Sequence, residues 1–235
     1  MTASSGVWQA TGDAFVLLFG GDAGIWAIVW VSLKTSLLAL LIAAPLATLA
    51  GYALARTHFR GRRVLVLLVQ VALSVPTVLI GLLLYLLLSR RGPLGPLDLL
   101  FTQGGMVAGQ ALLGFPVIVA FVLAAVQGAD PRLFETARAL GATRLRTFAT
   151  TLHELRFSVC AALAAGFGRV LTEVGSALMI GGNIEGATRT MTTAIALETS
   201  KGDFAQGIAL GIVLLVVALA VNGLVALMQG REART

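Results

Sequence analysis

DPRLFETARALGATRLRTFATTLHELR, residues 130–156, is the one long polar stretch with helical spacing in a sequence otherwise made of apolar runs, and its reading decides the fold. Asp130 followed by Pro131 predicts an N-cap with proline at the first helical position. Leu133, Phe134, Ala137 and Leu140 repeat at helical intervals, and Gly141 supplies a C-terminal stop. A second helix restarts at Thr143, with Leu145, Phe148, Leu152 and Leu155 along one face and Arg144, Arg146 and Arg156 elsewhere. Two short helices joined at a glycine therefore sit between apolar runs.

What surrounds this stretch is lipid-soluble. Of 235 residues, 57% are hydrophobic and 12% charged, and the mean hydropathy is +0.92, values outside the range of an ordinary soluble domain. A membrane helix needs about 20 mostly apolar residues to cross a core of roughly 30 Å. Five such windows fit without overlap, at about residues 25–54, 64–88, 106–127, 157–180 and 204–228. They predict one all-α membrane domain over 25–228, preceded by an extracytoplasmic lead-in (1–24) and followed by a short cytoplasmic tail (229–235). The lead-in holds only a short apolar run at 15–19 and lacks a basic start, so it does not read as a signal peptide.

The net charge of +6 fits basic loops on the cytoplasmic side of a membrane protein better than a nucleic-acid partner. Arg56, Arg60, Arg62, Arg63, Arg132, Arg138, Arg144, Arg146, Arg156, Arg231 and Arg234 fall on one side of the predicted membrane; Arg90, Arg91, Arg189 and Lys201 fall on the other. The excess places the N-terminus outside and residues 130–156 inside. A helix-turn-helix reading DNA is disfavoured because apolar spans on both sides tie the segment to a bilayer surface. A plain basic loop remains open at this point. Cys160 is the only cysteine, which excludes an intrachain disulfide, and with only His58 and His153 no zinc site can be assembled. No phosphate loop is present: residues 104–109 have the glycine spacing, but Gln110 stands where lysine would be needed.

Within the spans, Pro45, Pro76 and Pro116 are candidate bending points, and Lys34 can snorkel to the headgroups. The fourth span carries Arg169, Thr172, Glu173 and Ser176, expected on one helical face near the bilayer midplane. Ionisable residues at that depth default to a functional hypothesis. Arg169 and Glu173, four apart, can neutralise each other as a structural pair, or Arg169 can line a path and offer its guanidinium to an oxyanion. The polar stretch from 181 to 203 adds Asn183, Thr188, Arg189, Thr190, Thr192 and Thr193, donors suited to an anion whose oxygens only accept hydrogen bonds. A solvated external loop with an amphipathic helix explains that stretch equally well.

Glu135, Ala137 and Gly141, in the frame ETARALGA, resemble the cytoplasmic loop signature of permease subunits of bacterial ABC importers, usually Glu-Ala-Ala, three residues, then Gly. The likeness runs over residues 72–228. Its most specific part, GFGRVLTEVGSALMIGGNIEGATRTMTTAIALETSKGDF, is similar to the tungstate branch within the molybdate, sulfate and phosphate group. His153-Glu154 in LHELRFS departs from the usual Leu-Pro, as that branch also does, and leaves the second short helix without a proline stop.

The resemblance implies a type I permease of about five transmembrane helices in the bacterial inner membrane. It implies a homodimeric path, two ABC ATPase subunits docked at Glu135, Ala137, Leu140, Gly141 and Arg144, and a periplasmic or lipid-anchored oxyanion-binding protein. The translocation path would be lined by Arg169, Thr172, Glu173, Ser176, Asn183, Thr188 and Arg189. The chain itself would be no enzyme and hold no cofactor or metal; ATP and Mg2+ would belong to the partner ATPase. Molybdate, sulfate or phosphate are the alternative cargoes, and a secondary anion transporter, channel or membrane scaffold is the alternative class.

Overall fold

The computed structural model describes residues 3–232. Residues 1–2 of the lead-in and 233–235 of the tail, Arg234 included, lie outside the described residues. Among those described there is no strand. The chain runs through α1 (Ala3–Phe19), α2 (Ala23–Arg56), α3 (Arg62–Ser74), α4 (Thr77–Leu88), α5 (Gln103–Gln127), α6 (Pro131–Ala139), α7 (Arg144–Glu154), α8 (Arg156–Leu171), α9 (Gly175–Gly181), α10 (Met191–Lys201) and α11 (Phe204–Glu232), with a 3₁₀ turn at Gly95–Leu97.

Three helical segments, Ala23–Arg56, Gln103–Gln127 and Phe204–Gln229, are each long and apolar enough to cross a membrane. The pairs α3 with α4 and α8 with α9 meet the same criterion together, giving up to five spans. The molecule is thus an all-α protein of the expected class, but the second and fourth spans are interrupted rather than continuous. At the first interruption Pro76 has no N–H to give the ladder and bars its predecessor from the α region; Val75 and Pro76 accordingly sit at ψ 131° and 123°. The second has no proline. Here the Glu173 carboxylate accepts the Ser176 N–H at 2.9 Å, offering the backbone a local alternative to the helical ladder at the start of α9. Pro45 and Pro116, by contrast, lie inside α2 and α5 without ending them.

α2 shows how the sequence adapts to lipid. Ser32, Thr35, Ser36, Ala39, Ala43 and Ala47 recur at three- and four-residue steps and are buried, while Leu37, Leu41, Ile42, Leu46 and Leu49 face outward. Burying leucine gains little when the surroundings are as apolar as leucine, whereas small residues let helices approach closely. The buried hydroxyls bond back within the helix, Ser32 Oγ to Ile28 O at 3.0 Å and Thr35 Oγ1 to Val31 O at 2.9 Å.

The chain divides into two compact units. One comprises the chain through Ala39, Pro76–Ala111 and Val170–Ala220; the other comprises Leu40–Val75, Leu112–Arg169 and the chain from Val221. In the first, α4 and α9 pack through glycines: a Cβ on Gly81 would lie 2.7 Å from Ser176 Cα, and one on Gly175 would lie 2.5 Å from Val78 Cγ2. Ala39, Val107 and Val170 form a small apolar core. Ser32 Oγ accepts the Met191 N–H at 2.7 Å, tying α10 to α2. Lys34, expected to reach for headgroups, donates to Gln103 Oε1 at 3.0 Å, and Gln103 Nε2 donates to Ala187 O at 2.7 Å. In the second unit α2 meets α5 at Gly51, where a Cβ would stand 2.9 Å from Val119 O and from Val122 Cβ. This unit also carries α6 and α7.

Candidate coupling and translocation sites

The α6–α7 turn is built as its sequence dictates. Asp130 Oδ1 accepts the Arg132 N–H at 2.9 Å, and Pro131 opens α6. At its other end Gly141 takes φ +70°, its N–H reaches Arg138 O, and the Ala142 N–H reaches Ala137 O, both at 2.9 Å. This is a Schellman closure, which needs a left-handed residue at the glycine position. Thr143 Oγ1 then accepts the Arg146 N–H at 3.3 Å and starts α7. Without the proline stop α7 still ends at Glu154, and α8 begins at Arg156.

Of the residues proposed for coupling, Glu135, Leu140, Gly141 and Arg144 are exposed while Ala137 is buried. Leu140 is 81% exposed, and so is 75% of Leu145. Of the residues read along one face of α7, Phe148, Leu152 and Leu155 are half-buried and Leu145 is exposed. The four positions share one helix face, and Leu145 differs from the others in lying in the first turn of α7. Both leucines lie on the exposed surface of the loop, beside exposed charges and on either side of the Gly141 turn.

Two contacts missing from the sequence reading fix this surface to α2. Arg56 Cζ lies 3.6 Å from the ring centroid of buried Phe134 on α6. The Tyr52 ring meets that of Phe148 on α7 edge-on, with centroids 4.8 Å apart and planes at 76°. The available signal was their spacing: Tyr52 and Arg56 lie four apart at the end of an apolar run and so share a helix face. Arg62 Nε donates to Leu54 O at 2.7 Å, closing the turn that follows.

The path candidates are placed less uniformly. Because α8 stops at Leu171, Arg169, Thr172, Glu173 and Ser176 do not occupy one face of a continuous helix. Arg169 is half-buried in the last turn of α8 and belongs to the second unit; the others belong to the first. Thr172 is exposed. Glu173 is 3% exposed and holds the break, its carboxylate taking the Ser176 N–H and its carbonyl accepting from Thr192 Oγ1 at 2.7 Å. Ser176 Oγ is buried without a hydrogen-bond partner.

In the following loop, Asn183 takes φ +53°, and its Nδ2 stands 3.5 Å from Thr193 O. Thr188 Oγ1 donates to Gly181 O at 2.5 Å and accepts the Ile184 N–H at 3.0 Å. Arg189 Nη1 pairs with exposed Glu185 at 3.4 Å while its buried Nε has no partner. Thr190 and Thr193 form a reciprocal cap for α10. Most hydroxyls of the polar stretch are therefore committed to scaffold, neither solvated nor aimed at an anion. Among the described residues, the buried side-chain polar atoms without a hydrogen-bond partner are Ser176 Oγ, Asn183 Oδ1 and Arg189 Nε, together with Gln110 Oε1 on α5.

Residues 43–234 match the family described as binding-protein-dependent transport system inner membrane component. The chain is 38% identical over 210 residues, 89% of its length and 88% of the relative's, to the tungstate uptake system permease protein TupB of Campylobacter jejuni. It is 34% identical to TupB of Peptoclostridium acidaminophilum, over 92% of this chain and 95% of that one. In three dimensions it is similar to a chain of a bacterial alginate ABC transporter solved in complex with an alginate pentasaccharide-bound periplasmic protein: TM-score 0.74, 21% identity, 94% of this chain and 83% of that one covered. Interrupted apolar spans, a Schellman-closed loop bearing ETARALGA and these full-length likenesses have one reading: the chain belongs to the binding-protein-dependent transport system inner membrane component family, the permease subunits of ABC importers.

Proposed function

We propose that this chain forms the translocation path of an ATP-driven tungstate importer, as a homodimer. The reading is carried by the near full-length similarity to tungstate uptake permeases of two organisms. The loop at 130–156 is the docking site for two ATPase subunits, with Leu140 and Leu145 as apolar anchors and Glu135 and Arg144 as polar partners around the Gly141 turn. ATP and Mg2+ act in those partners, so hydrolysis belongs to the complex and not to this chain. A periplasmic or lipid-anchored binding protein delivers the oxyanion to the opposite face. ATP-driven closure of the ATPases then moves the loop, and the helices alternate between inward-open and outward-open arrangements.

Along the path the cargo needs donors, because a tetrahedral oxyanion only accepts hydrogen bonds. Arg169 and Arg189 are the guanidinium candidates, supported by Thr172, Ser176 and Asn183; the Thr188 hydroxyl is spent on Gly181 O. Glu173 acts by shaping the break, its carboxylate engaged by the Ser176 N–H and its carbonyl by the Thr192 hydroxyl.

The test is ATP hydrolysis in liposomes holding this chain, its ATPase and its binding protein, with tungstate, molybdate, sulfate or phosphate supplied. Stimulation by tungstate, lost in Gly141→Val, is the expected result. A valine at φ +70° is strained even in open space. Stimulation by another anion alone would overturn the cargo and keep the permease; an intact, stimulated complex in Gly141→Val would overturn the docking site.

A further inference from the structure

We infer that Tyr52 and Arg56 at the cytoplasmic end of α2 are positioning residues for coupling, gripping both short helices of the loop at once and passing their displacement into α2 and α5. The inference rests on the docking role proposed for residues 130–156. Its physical content is a continuous run of contacts. Arg56 faces the Phe134 ring on α6, and Tyr52, one turn earlier on the same face, meets Phe148 on α7. A loop held at one point could pivot about it. One held on both sides of its glycine turn must move with the helix that holds it.

The next link is as tight. Gly51, adjacent to Tyr52, brings α2 so close to α5 that even a methyl group there would press on Val119 O and Val122 at 2.9 Å. Close-packed surfaces of this kind transmit a shift instead of absorbing it. The Arg62 Nε bond to Leu54 O at 2.7 Å further restrains the last turn of α2. Arg56 also counts among the basic residues that set orientation, but orientation needs only its charge. The grip needs a planar cation over a ring, which lysine reproduces in part and glutamine does not.

The experiment compares Arg56→Gln, Arg56→Lys, Phe134→Leu and Phe134→Tyr in the complete complex in liposomes. It reads assembly with the ATPase, unstimulated hydrolysis, and hydrolysis stimulated by loaded binding protein. Arg56→Gln and Phe134→Leu are expected to assemble and to keep unstimulated hydrolysis, yet to lose stimulation about fivefold or more. Arg56→Lys and Phe134→Tyr are expected to retain at least about half of it. The double variant Arg56→Gln with Phe134→Leu should be no worse than either alone, since both break one contact.

Undiminished stimulation in Arg56→Gln, or full additivity in the double variant, would overturn the inference. So would failure of both single variants to assemble, which makes the contact merely structural; if only one fails, the other end of the contact decides. Failure of the docking reading looks different: Gly141→Val would then assemble and respond normally, whatever Arg56→Gln does.

Discussion

Glu173 illustrates how a residue chosen for its charge can act through its geometry. Its carboxylate takes the Ser176 N–H and its carbonyl takes the Thr192 hydroxyl, all in a buried setting. Glu173→Gln keeps an acceptor oxygen for the Ser176 N–H and is expected to melt above Glu173→Ala in detergent. Glu173→Ala strands a buried N–H and should cost about 1–3 kcal/mol; equal melting temperatures for the two variants would contradict the capping role. Close packing makes a second prediction. Gly81→Ala forces a methyl within 2.7 Å of Ser176 backbone and should destabilise by about 1–3 kcal/mol, whereas Gly211→Ala, with nothing within 4 Å, should be neutral or stabilising by up to about 1 kcal/mol.

At the scale of elements, the two short helices were fully legible in the sequence. Asp130-Pro131, Gly141 and Thr143 are strong local signals, and each does what its chemistry requires. The interruptions were not. Pro76 was visible, but whether a proline bends a helix or ends it depends on what satisfies the freed carbonyls, as the uninterrupted passage of α2 through Pro45 makes plain. The second break carries no proline; the Glu173 carboxylate holds it locally, and a tertiary bond from Thr192, nineteen positions away, holds the Glu173 carbonyl. For the same reason the hydroxyls of 181–203 looked like anion donors; only packing reveals that Thr188, Thr190, Thr192 and Thr193 serve the scaffold. The exposed leucines give an element-scale prediction. Leu140→Ser with Leu145→Ser should leave the isolated permease folded and weaken its hold on the ATPase by about 2–4 kcal/mol, since each removes an anchor of roughly 1–2 kcal/mol; titrating purified ATPase against detergent-solubilised permease measures this, and unchanged affinity would reassign the docking surface.

For the whole molecule, orientation is the quantity that charge counting predicts and labelling can check. In a Cys160→Ser background, Ala149→Cys on exposed α7 should react with a membrane-impermeant maleimide only after the cells are opened. Ser200→Cys, exposed near the end of α10, should react in intact cells. The reverse pattern would invert the topology. Composition made the class readable, because the bilayer imposes it on any multi-pass chain; the basic-residue asymmetry predicts the orientation that this labelling tests. The grip of Tyr52 and Arg56 on the loop was not readable, since no local rule pairs residue 56 with residue 134.

The two interruptions lie side by side: Gly175, opening α9, would touch both Thr77 Oγ1 and Val78 N at the start of α4 through a Cβ at 3.3 Å. Helix ends carry peptide groups that no helical partner satisfies, and hydrocarbon cannot serve them. The consequence is kinetic. Amide protons at the two interruptions should exchange with deuterium faster than those in the middle of α5, so a permease built for lipid would breathe within its own spans and not only in its loops.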